Sequence, residues 1–163
     1  MSKIYLDLDG VFADFHNKTK SLCGHDYHED PKNLWRLVES VDNFFLSLDP
    51  LPGSQEMFRQ IKEMADEKNL EIEFLTALPL LKGKLQTAPS DKRTWVFKYL
   101  CPETRVNCVT NWRHKKHYTS PESRTILIDD MSRNIVDWEQ AGGIGILHVS
   151  PEDTLKRLTD ILK

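Results

Sequence analysis

The chain has 163 residues, 39% of them hydrophobic and 29% charged, and its 22 Lys+Arg against 25 Asp+Glu leave a formal net charge of −3. That length fits one domain with a real core, and the charge balance excludes a strongly basic protein that coats nucleic acid while suiting small polar substrates. No apolar run approaches a membrane span; Cys23, Cys101 and Cys108 form no C-x-x-C pair and read as reduced thiols; a core strand follows so closely on Met1 that no signal peptide fits, and a cytoplasmic protein is expected.

Ile4, Tyr5 and Leu6 read as a buried first strand that stops at Asp7-Leu8-Asp9-Gly10, where glycine suits a sharp turn off a strand end. Two carboxylates on so short an exit repel each other unless a cation or a proton lies between them. An EF-hand loop also opens D-x-D, but here the glycine comes too early and Lys18 stands where a bidentate Glu is required. Phe15, Thr19 and Leu22 then share a helical face, and Leu34, Leu37, Val38 and Val41 form a second stripe, so that about residues 15–50 read as a small helical insertion. Between the stripes lies a polar loop. Cys23, His25 and His28 are of metal-ligand type but lack a fourth partner nearby.

The prolines of Asp49-Pro50-Leu51-Pro52-Gly53 mark a return to the main body. A helix is expected from Ser54, with Met57, Ile61, Met64 and Ala65 inward and Asn69 as its stop. Ile72, Phe74 and Leu75 form a second strand that ends at Thr76, and after a lysine-bearing loop Ser90 is expected to cap a helix with Trp95 on its inner side. Val106–Val109 reads as a third strand, followed by a basic loop from Trp112 to Tyr118 that includes Lys115 and Lys116 and in which His114 and His117 read as solvated. Thr125–Ile128 is the fourth strand, ending at Asp129-Asp130; Ser132 is expected to cap a helix with Ile135 and Trp138 inward, closed by Gly142-Gly143. Ile144–Leu147 is the fifth, and Ser150-Pro151 opens a last helix.

Strands alternating with helices predict an α/β fold, a doubly wound, Rossmann-like parallel sheet of five strands in a single domain. In such sheets ligands bind beyond the carboxyl ends of the strands. Asp7/Asp9, Thr76 and Asp129/Asp130 all fall there, and the acids form an oxygen-rich site free of nitrogen and sulfur, of the kind that suits Mg²⁺.

D-L-D-G-V-F-A-D-F resembles the first motif of the haloacid dehalogenase (HAD) superfamily of phosphohydrolases, and in this form most resembles the 5'(3')-deoxyribonucleotidases. The superfamily resemblance spans the chain; the nucleotidase resemblance covers mainly residues 7–53 and 91–96, through Asn43-Phe44-Phe45, Pro50-Leu51-Pro52-Gly53 and Lys92 with Trp95-Val96. The resemblance implies a Mg²⁺-dependent phosphomonoesterase acting on a nucleoside monophosphate. Asp7 would be the nucleophile that forms an aspartyl phosphate, Asp9 the acid and base, and Thr76 and Lys92 the phosphoryl-binding and charge-offsetting residues. Asp7, Asp9 (by its carbonyl), Asp129 and Asp130 would hold the metal. Phe15, Trp35 and Phe45 would wall the nucleoside pocket, with Ala77 standing where some relatives carry a second hydroxyl. Alternative readings are a phosphatase of nucleic-acid strand ends, motivated by the basic loop, or of other small phosphates, and a non-catalytic phospholigand-binding domain.

Overall fold

The computed structural model describes residues 3–26 and 29–163. Five strands, β1 (Lys3–Leu6), β2 (Glu71–Ala77), β3 (Arg105–Val109), β4 (Thr125–Asp129) and β5 (Ile144–Leu147), form one sheet in the order β3-β2-β1-β4-β5. All neighbouring pairs are parallel. This is the doubly wound sheet that the alternating pattern predicts. Its strand order reverses at β1, so β1 and its neighbour β4 flank the crevice where such sheets take ligands.

Alternate residues of each strand serve different cores. Ile4, Leu6, Phe74, Ile126, Ile128 and Ile146 pack on α3 (Ser54–Glu67) and α6 (Pro151–Leu162) through Met57, Ile61, Ala65 and Leu158. On the opposite face Tyr5, Leu75, Val109 and Leu127 meet Ile135 and Trp138 of α5 (Ser132–Gln140). Burial on both faces explains why β1 and β4 are apolar without alternation.

Two short helices, α1 (Phe15–Cys23) and α2 (Pro31–Val38), fill the stretch between β1 and α3. Asp14 and Asp30 cap them by accepting the Asn17 and Asn33 backbone N–H groups. Of the cysteine and histidine trio, His28 lies outside the described residues; Cys23 is a free thiol, and His25 contacts the Asp26 carbonyl at 3.0 Å. No helix among the described residues is long and apolar enough to cross a membrane.

Two expected caps differ. Ser90 lies inside α4 (Ala88–Tyr99), which a 3₁₀ turn over Gly83–Thr87 feeds directly; its hydroxyl donates to the Thr87 carbonyl at 2.8 Å. The first turn is thus joined to preceding turn structure and takes no side-chain cap. At α5, Ser132 is already helical, and the Asp129 carboxylate instead accepts the N–H of Met131, the residue before the helix, at 2.9 Å. A carboxylate at a helix N-terminus gains from the aligned peptide dipoles.

Candidate active site

Asp7 leaves β1 still in register with β4, its N–H donating to the Ile128 carbonyl at 2.9 Å. The chain then folds back on itself, Phe12 and Ala13 both donating to the Leu8 carbonyl. Gly10 has φ +82, and a Cβ there would lie 2.2 Å from Asp130 Oδ2. Only glycine therefore allows the Asp130 carboxylate to close against this turn. Carboxylate oxygens of Asp7, Asp129 and Asp130 all lie within 4.8 Å of one another.

A lysine that the sequence reading left in the basic loop completes this cluster. Trp112–Tyr118 is a 3₁₀ helix rather than an open basic loop, and Lys115 is 2% exposed. Its Nζ lies 2.8 Å from Asp7 Oδ1 and donates to Asp129 Oδ2 at 2.6 Å. Lys115 is thus withdrawn from the surface, a correction to its reading as part of the basic loop that motivated strand-end substrates. Asn134, from α5, was also missed: its amide donates to both Asp129 oxygens, at 3.0 and 2.9 Å.

Burial, with Asp129 and Asp130 alongside, pushes the Asp7 carboxyl up to about 8 against the pull of Lys115. Burial and Asp129 push Asp130 up to about 7. Burial acts against the Lys115 ammonium, but Asp7 and Asp129 outweigh it and hold that group above its ordinary value. Among the described residues, four carboxylates, with Asp9, thus face two ammonium groups, Lys115 and Lys92. Asp9 Oδ1 and Asn134 Oδ1 are buried without a hydrogen-bond partner among the described residues. An all-oxygen donor set, an excess of negative charge and two unsatisfied oxygens together fit a hard divalent cation such as Mg²⁺.

Lys92 is fully buried and reaches Asp9 Oδ2, Thr76 Oγ1 (2.8 Å) and the Ala77 carbonyl (3.0 Å). The cation beside Asp7 is therefore Lys115, and Lys92 holds Asp9. Thr76 is itself fully buried, beneath the site and engaged by Lys92.

Above the acids opens a cavity of about 420 Å³, lined by Asp7, Asp9, Asp130 and Lys115 on its floor and by Phe15, Trp35, Phe45 and Ala77 among its walls. Thr76, Lys92 and Asp129 lie outside this lining. Phe15 and Phe45 are nearly parallel, with centroids 6.3 Å apart, and Trp35 lies 6.2 Å from Phe15. Phe45 also carries the Lys92 ammonium 4.5 Å from its centroid. Asp91 is buried, which pushes its carboxyl up, against hydrogen bonds from Thr87 and from the backbones of Leu46 and Phe45. It thereby ties the Phe45 segment to the helix that carries Lys92.

The overall arrangement of strands and helices has solved counterparts. A HAD family hydrolase from Deinococcus radiodurans R1, solved with bound phosphate and sodium, superposes with a TM-score of 0.55 at 13% identity, over 96% of this chain and 87% of that one. The chain has the fold of the HAD superfamily. A hydrolase from Streptococcus pneumoniae TIGR4 gives a TM-score of 0.50 at 14% identity over 97% of both chains. In sequence, the human mitochondrial 5'(3')-deoxyribonucleotidase is 28% identical over 124 residues, 62% of this chain and 52% of that protein. The chain thus spans about half the length of that curated relative. No family model matches. The HAD resemblance read from the first motif stands on these likenesses.

Proposed function

We propose that the chain is a Mg²⁺-dependent phosphomonoesterase of HAD type that acts on a nucleoside monophosphate through an aspartyl phosphate on Asp7. The observation that carries this reading is Asp7 itself, a buried carboxylate paired to Lys115 and crowded by Asp129 and Asp130, on the floor of a cavity open to a ligand.

An anionic nucleophile approaches a dianionic phosphate only where positive charge offsets the repulsion. Lys115 supplies one such charge. Mg²⁺, held by Asp7, Asp129 and the Asp9 carbonyl with Asp130 beside them, would act as a Lewis acid toward the phosphoryl oxygens. An Asp7 oxygen forms a bond to phosphorus as the ester oxygen departs, and the departing oxygen takes a proton from Asp9. A water then attacks phosphorus, returns a proton to Asp9, and releases inorganic phosphate with Asp7 restored. Asp9 suits this double role because Lys92 grips only one of its oxygens; the other is buried and without a partner among the described residues. Thr76 and Lys92 then act by positioning Asp9 from below.

In this reading the α1–α2 pair is the cap, and it supplies Phe15 and Trp35 to the cavity lining. Glu39 and Asp42 beyond α2 form ion pairs with Lys82 and Lys84 at 2.9 Å each; these are largely exposed and contribute little stability each. Phe15, Trp35 and Phe45 offer a stacking wall for a nucleobase, and the nucleotide class is also that of the human relative. The test is hydrolysis of an aryl phosphate with Mg²⁺ and with EDTA. Metal-dependent turnover that Asp7→Asn abolishes is expected; metal-independent turnover, or full activity in Asp7→Asn, would overturn the reading.

A further inference from the structure

At the cavity wall stands a group that the hydrolytic chemistry above does not use. Trp112 and Arg133 both line the cavity. The Arg133 guanidinium lies 4.3 Å from the Trp112 ring centroid, and that of Arg113 lies 4.7 Å from the same centroid. Both arginine side chains are exposed, and among the described residues neither has an ion pair with a carboxylate. Two like charges over one indole, without a counter-charge, leave their hydrogen-bonding edges available to an anion; a stacked guanidinium is preorganised for bidentate contact with phosphate.

The backbones of both arginines are also anchored beside the acid cluster. Arg113 donates its backbone N–H to Asn111 Oδ1 at 3.0 Å and stands two residues from Lys115. Arg133 precedes Asn134, whose amide holds both Asp129 oxygens. The backbone of each is thus joined directly to a segment that holds the acids. The net charge of −3 gives no general reason for paired cations here.

We infer that Arg113 and Arg133, stacked on Trp112, form a subsite for a second phosphoryl group, so that the preferred substrate is a phosphate monoester carrying another phosphate near the one removed. This rests on the phosphatase reading and refines its substrate. A nucleoside 3',5'-bisphosphate and the phosphorylated end of an oligonucleotide share this chemistry.

The test measures kcat and KM for a 5'-mononucleotide, the matching 3',5'-bisphosphate, a 5'-phosphorylated dinucleotide and an aryl phosphate, at low and moderate salt. The wild type is expected to favour at least one doubly charged substrate by about tenfold in kcat/KM, mainly through KM, with the advantage shrinking as salt rises. Preference for the bisphosphate alone assigns the second group to a free nucleotide; preference for the dinucleotide alone assigns it to a strand; either supports the subsite. In Arg113→Gln/Arg133→Gln the ratio should fall to near one, and Arg113→Lys/Arg133→Lys should restore part of it. A ratio near one in the wild type, or one unmoved by the Gln pair, would overturn the inference while aryl phosphate turnover continued. Absence of aryl phosphate turnover in the wild type would overturn the phosphatase reading and this inference with it.

Discussion

The Lys115 ammonium lies 2.8 Å from the Asp7 carboxylate, and both groups are buried. Removing one partner of such a pair leaves an uncompensated charge, at a cost of about 3–5 kcal/mol. Lys115→Ala should therefore unfold at markedly lower urea concentration than wild type in EDTA. Added Mg²⁺ should recover part of the loss, because a cation bound only by the folded state stabilises it. Paired urea titrations with EDTA and with Mg²⁺ check this; equal losses in both would mean that no cation shares that carboxylate cluster.

Asp9 and Asp7 should separate by leaving group. Asp9→Asn keeps the nucleophile and its ion pair with Lys115 but removes the proton donor. Release of the alcohol in the first turnover of an alkyl phosphate should fall at least about tenfold further than release of nitrophenol from nitrophenyl phosphate, whose leaving group departs without protonation. Equal loss on both substrates would make Asp9 structural.

Gly10→Ala tests how closely the first turn seats Asp130. The new methyl would meet Asp130 Oδ2, and φ +82 is itself unfavourable for alanine, at a cost of about 1–2 kcal/mol. Weaker Mg²⁺ binding, read as a smaller metal-induced rise in Tm than in wild type, is expected alongside lower stability. An unchanged metal response would show that Asp130 is free to move.

A pH effect on stability is also expected within the sheet, at Glu73 of β2. Glu73 accepts from Lys3 at 2.6 Å and from Asn107 at 2.7 Å. Burial acts against its charged form, but these bonds outweigh it and hold the carboxyl below its ordinary range. A depressed carboxyl stabilises the fold above its unfolded pKa and loses that contribution as pH falls through the folded value. Glu73→Gln should thus cost about 1–2 kcal/mol at pH 7, and the gap from wild type should narrow between about pH 5 and pH 3. A gap that stays constant over that range would contradict it.

The sheet and its acidic edge were legible because both depend on local pattern: Asp7, Asp9, Asp129 and Asp130 sit where apolar strands stop. Lys115 was not, because its burial depends on two carboxylates brought to it by β1 and β4. One signal was available. Trp112, Lys115 and Tyr118 recur every three residues, the period of a 3₁₀ helix, and they are the inward positions, whereas Arg113, His114, Lys116 and His117 are exposed. Asn134 carried no such mark. Lys92 was picked out by its motif, but its contact with Asp9 depends on the tertiary fold and is not written in sequence position. Ser90 and Ser132 failed as caps because a preceding 3₁₀ turn and the Asp129 carboxylate serve those helix starts.

The central claim is that Asp7 is phosphorylated during turnover, and Asp9→Asn offers the means to see it. With nitrophenyl phosphate this variant should complete the first step and stall at the second, where Asp9 is needed to activate water. After acid quench and tryptic digestion, mass spectrometry of the peptide Ile4–Lys18 should show one phosphoryl group, located on Asp7, and none in Asp7→Asn/Asp9→Asn. Steady turnover by Asp9→Asn with no phosphorylated peptide, or a phosphoryl group on any other residue, would contradict the mechanism.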